Sequence, residues 1–118
     1  MDVSKIIERA RKRGKVVGRG TLEITTEDRE DSLGAMLNSV RVIVGEADVK
    51  EEITEVYSKS TWKTIKITPK SKEVLVERVR EEEDPFGNIS IERTYYLLDN
   101  DGTWKEFKQR GRKSRPNW

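Results

Sequence analysis

The sequence predicts an α+β domain: an antiparallel β-sheet of about five to seven strands, closing in a C-terminal meander, with two helices packed on one face. Three observations predict it. Val and Ile total 20 against six Leu, and β-branched side chains suit a pleated, half-buried surface while losing rotamer freedom in helices. Two turn signals, Asp84-Pro85-Phe86-Gly87-Asn88 and Asn100-Asp101-Gly102, divide the C-terminal third into runs at residues 72–83, 89–98 and 103–108. Gly supplies the positive φ of a tight turn there, and Pro85 fixes φ at the start of a bend. Finally, Ile6, Ile7 and Ala10, and further on Leu33, Met36, Leu37 and Val40, fall at helical spacing.

In chain order, residues 2–13 read as a helix capped by Asp2 or Ser4 and ended by Gly14. Residues 15–25 read as two short strands, or one strand broken by a bulge at Gly18-Arg19-Gly20. Residues 27–39 are expected to form the second helix, with Thr25 or Thr26 as cap and acids in the first turn, although Gly34 costs it about 1 kcal/mol relative to Ala. Residues 40–44 are a strand ended by Gly45. Residues 48–59 fit both periods: Val49, Ile53, Val56 and Tyr57 share a helical face, while Val49, Ile53 and Tyr57 share strand parity. The clustering of Ile, Thr, Val and Tyr tips that segment towards strand.

Residues 62–68 form a further strand, turned by Pro69-Lys70-Ser71 into the meander. Along the meander's middle strand, Ile89, Ile91, Arg93, Tyr95 and Leu97 make the preferred core face, and the Tyr96 to Leu98 end of the other face is a second candidate. Residues 1–109 make one domain, and 110–118, where the apolar pattern stops, a basic disordered tail. The run from Lys72 to Phe107, with Tyr-Tyr-Leu-Leu-Asp-Asn-Asp-Gly-Thr-Trp-Lys near its end, resembles the closing hairpins of nuclear-transport-factor-2-like cone folds. The strand-like residues 15–25 depart from that family's helical beginning, and the resemblance implies no activity.

Composition narrows the chemistry. Charged residues make up 39 % of the chain yet nearly cancel, to a net +2. Abundant Lys and Glu, a single Gln and no Cys give a thermophile-like surface. With neither Cys nor His, Ser-His-Asp and Cys-His catalysis and ordinary zinc sites are excluded, and no cofactor is implied. No apolar run approaches 18 residues, so a soluble, cytoplasmic protein with no membrane association is expected.

Charge is segregated along the chain: +5 over residues 1–20, −7 over 21–58 and +4 over 59–118. Two basic ends suggest a non-enzymatic, sequence-tolerant nucleic-acid-binding surface built from Arg9, Arg11, Lys12, Arg13, Lys15, Lys108, Arg110, Arg112, Lys113, Arg115 and Trp118. Trp104, Phe107 or Trp118 would stack on bases. The alternative is a protein–protein or self-assembling module, a homo-oligomer included, in which the basic ends meet the acidic middle of the same or a second copy. An enzyme reading rests on Glu106-Phe107-Lys108 with Asp99 and Asp101, the acid-x-Lys form of metal-dependent nucleases. Both Asp residues have a simpler role in the turn.

Overall fold

The chain runs α1 (Val3–Arg13), β1 (Lys15–Arg19), β2 (Leu22–Asp31), β3 (Gly34–Val44), β4 (Ala47–Tyr57), β5 (Ser60–Pro69), β6 (Leu75–Glu83), β7 (Ile89–Leu98) and β8 (Thr103–Lys113). This computed structural model describes residues 2–113, of which strands make up 68 %. All eight strands join one antiparallel sheet in the order β1-β8-β7-β6-β3-β2-β5-β4. The expected α+β domain of five to seven strands and two helices is therefore corrected to a mainly β fold of eight strands with a single helix among the described residues.

The missing helix is the β2–β3 hairpin. Its turn is held by Asp31, whose Oδ1 accepts from the Leu33 N–H at 2.8 Å. Gly34 sits at φ 134°, a conformation L-residues rarely adopt. A β-carbon there would also run into the Glu83 carbonyl oxygen of the neighbouring β6. The helical spacing of Leu33, Met36, Leu37 and Val40 is coincidental: Met36, Val40 and Val42 share one strand face, whereas Leu33 and Leu37 are exposed. Residues 48–59, ambiguous by period, lie largely in β4, and residues 15–25 form two strands on either side of Gly20.

The meander is where the turn signals place it. Asp84 Oδ1 accepts from the Phe86 and Asn88 N–H groups, both at 2.9 Å, and Gly102 takes φ 84°. β8 continues to Lys113, so residues 110–113 are strand rather than tail, while 114–118 lie outside the described residues. β8 lies between β1 and β7, and the described residues hold one helix, at the start of the chain.

The sheet has to curl. In a flat sheet β1 and β2 would lie five strands, about 24 Å, apart at ordinary strand spacing, yet only Gly20 and Thr21 connect them. That link spans about 10 Å, the separation of two stacked sheet layers. Accordingly β2 and β3 pair only near their hairpin, from Asp31↔Gly34 to Arg29↔Met36, and then diverge. Leu22, Ile24, Ile65 and Ile67 of the β2–β5 layer share one core with Val76, Tyr96, Leu98 and Trp104 of β6–β8 and with Val74 just before β6. Trp104 is fully buried, and its Nε1 donates to the Gly20 carbonyl at 2.7 Å, tying the two layers where the chain crosses.

The opposite, outer face of β6–β8 carries the helix. Ile6 and Ala10 of α1 bury against Leu75, Tyr95 and Leu97, with Ile7 and Phe107 packed alongside. Both faces of β7 are thus covered from Thr94 to Leu98, whereas Ile89 and Ile91 of the preferred face are only half-buried.

Candidate nucleic-acid interface

Helix α1 begins where Asp2 caps it, accepting from the Ser4 N–H at 3.1 Å, and stops at Gly14. Its apolar stripe of Ile6, Ile7 and Ala10 fixes its rotation on the sheet, and this decides what the solvent meets. Lys5, Arg9, Lys12 and Arg13 all fall outside the stripe, within about 100° of helical arc. All four are exposed, and with Glu8 they line one shallow surface. Lys15 follows, exposed, at the start of β1.

Lys12 of the stripe and Arg11 beside it each meet a carboxylate. Lys12 Nζ lies 2.9 Å from Glu8 Oε1, and this contact holds the Glu8 carboxyl below its ordinary pKa. Arg11, turned off the basic stripe, bonds Glu73 at 2.7 Å and lies 4.0 Å from Asp99. Arg11, Lys12 and Arg13 also occupy the last turn, where cations suit the helix dipole. The helix dipole therefore accounts for part of that cluster, while Lys5 and Arg9 stand earlier in the helix.

Lys108 and Arg110 do not extend this surface. β8 alternates, so Lys105 and Phe107 face α1 while Glu106, Lys108 and Arg110 face the inner side of the curl. There Arg110 bonds Glu92 at 3.1 Å, Arg80 approaches the same carboxylate at 3.6 Å, and Lys108 lies 3.7 Å from Glu106. Arg112 and Lys113 pair through their backbones with Ser90 and Ile89, on the last rungs of β8. Arg115 and Trp118 lie outside the described residues. Lys108 and Arg110 thus lie on the face of β8 opposite the one that carries α1.

Aromatic stacking changes in the same way. Trp104 is a core residue and Phe107 packs beneath α1, so neither offers a free ring to a base. Lys5 was missed from the sequence, although its i, i+4 spacing to Arg9 was there to be read.

The nuclease-like residues are dispersed. Asp99 bonds Lys105 Nζ at 2.8 Å on the outer face and accepts from the Asn100 N–H, contacts that keep its pKa low. Asp101 accepts from the Thr103 hydroxyl and N–H, which lowers its pKa too and closes the turn. Glu106 points to the other side of β8. Among the described residues no three Asp or Glu side chains are grouped to hold a metal ion.

A second polar feature lies on the inner face, past the apolar core. Arg78 donates to Asn38 Oδ1 at 3.3 Å, and Asp28 Oδ1 accepts from the Asn38 N–H at 2.8 Å. Tyr96 is held above its ordinary pKa by burial and by the nearby Glu106. The adjoining open depression, about 540 Å³, is lined by Arg80, Glu82, Glu92 and Arg110 among others. Its cations already face its acids, so it offers a ligand no unbalanced charge.

Compared with protein-family models, curated proteins and solved structures, the chain has no significant match in any of the three. No helix among the described residues is long and apolar enough to cross a membrane.

Proposed function

We propose that the protein binds nucleic acid with little sequence preference, through the solvent face of α1. The observation that carries this reading is the exposed stripe of Lys5, Arg9, Lys12 and Arg13, which shares its surface with Glu8. Cations on a rigid helix meet phosphates, release condensed counterions and carry no base information by themselves. Arg adds paired hydrogen bonds to phosphate oxygens. The stripe spans about 12 Å of helix axis, room for only a few phosphates, so binding is weak and strongly salt-dependent.

Fluorescence anisotropy with labelled duplex DNA and single-stranded RNA tests the proposal. Up to four contacts predict a log–log salt slope no steeper than about −4 on duplex. Replacing Arg9 and Arg13 by Glu reverses the stripe without touching its apolar face, and should weaken binding at low salt by roughly tenfold or more. Removing residues 114–118 should change it far less. No retention of either nucleic acid at low salt, or full retention by the doubly reversed variant, would overturn the reading.

A further inference from the structure

The last strand of the sheet is left open. Among the described residues β4 pairs only with β5, so one side of an 11-residue strand has no neighbour there. Every residue from Asp48 to Tyr57 is exposed, including Val49 at 46 %, Ile53 at 60 % and Val56 at 67 %. The other edge, β1, has five residues and a register break between Val16 and Gly18. Edge strands commonly carry charges that discourage pairing with other chains, and β4 has Asp48, Lys50, Glu51, Glu52 and Glu55. Their order makes them selective rather than uniformly repulsive.

We infer that β4 pairs antiparallel with β4 of a second copy of this chain, about a two-fold axis through Glu51. A two-fold normal to the sheet keeps each face continuous, so paired residue numbers must sum to an even value. With Glu51 at the centre, Val49 lies opposite Ile53 and Lys50 opposite Glu52, each twice, with Asp48 opposite Thr54. Apolar then meets apolar on one face, and cation meets anion on the other.

The neighbouring registers lack this match. Centred on Lys50, the pairing sets Lys50 against itself and Asp48 against Glu52 twice. Centred on Glu52, it sets Glu52 against itself and Glu51 against Ile53. The cost of the chosen register is the central Glu51 pair, and each Glu51 has Lys63 of its own chain at 3.9 Å to offset it. The register break between Ile53 and Glu55 limits the matched segment to residues 48–54. One strand pair makes a small interface, so dissociation in the micromolar range is expected.

This contact is independent of α1 and of the nucleic-acid reading. Sedimentation equilibrium on the full chain, from about 1 to 500 µM, should show a monomer–dimer equilibrium built on the 13.7 kDa chain. Lys50→Glu sets acid against acid twice, and Glu52→Lys sets cation against cation twice. Each should raise the dissociation constant roughly tenfold or more, while the circular-dichroism spectrum stays that of the parent because both positions are exposed on the edge. The double variant restores both pairs and should restore the dimer. A monomer throughout, a dimer indifferent to the single reversals, a double variant no better than either single one, or growth into larger assemblies by β1-to-β4 pairing would each overturn the inference.

Discussion

Trp104 is the residue on which the curl most depends, because it fills the core and bonds across to Gly20 where the chain passes from one layer to the other. Trp104→Phe keeps most of the apolar volume but leaves the Gly20 carbonyl without that donor, and should cost about 1–3 kcal/mol. Denaturant unfolding measures it, and an unchanged midpoint would mean that the bond contributes nothing. Gly34→Ala is the second sensitive change: it forces an L-residue to positive φ and pushes a methyl group towards the Glu83 carbonyl. At least about 1–3 kcal/mol should be lost. An aromatic's burial is not written in its sequence neighbours, which is why Trp104 could be read as a stacking platform. The positive φ at Gly102 was legible because the Asp-Gly turn demands it locally.

At the scale of elements, the contrast between the meander and the β2–β3 hairpin shows what was readable. β6 to β8 are separated by turns whose side chains close them locally, so their strand character follows from a few adjacent residues. The β2–β3 hairpin also has a local turn, at Asp31, but its strands are held by distant partners, β5 on one side and β6 on the other, while four of its apolar residues fall at helical spacing. The same limit applied to the basic surface. Charge along the sequence located both basic ends, but strand alternation in β8 turned Lys108 and Arg110 away from α1, and no composition argument reaches that. Where β2 and β3 diverge, Asp28 takes over from the ladder by accepting the Asn38 N–H and side-chain amide. Asp28→Ala should therefore cost about 1–3 kcal/mol, since it leaves a part-buried N–H unsatisfied. Faster hydrogen exchange confined to the β2–β3 junction would confirm the placement, and an unaltered exchange profile would refute it.

For the whole molecule, pH and salt separate folding from binding. Asp99, Asp101 and Glu8 are all held below their ordinary pKa, by Lys105, Thr103 and Lys12 respectively. Their contribution is present above about pH 4 and disappears as pH falls through the lowered folded values. Tyr95 and Tyr96 are raised, chiefly by burial, with Glu77 and Glu106 adding to it. Their contribution is complete below about pH 10 and is lost as pH rises through the raised values. The chain has no His, the side chain that ordinarily titrates in between. Thermal midpoints should therefore form a plateau between roughly pH 5 and 9, with losses on both sides. Exposed ion pairs are each worth about 0–1 kcal/mol and are screened by salt, so raising salt at pH 7 should barely move the midpoint. Nucleic-acid retention should fall across the same salt series, because its driving force is counterion release. A midpoint that collapsed in parallel with binding would show that salt was unfolding the protein rather than competing for the α1 face.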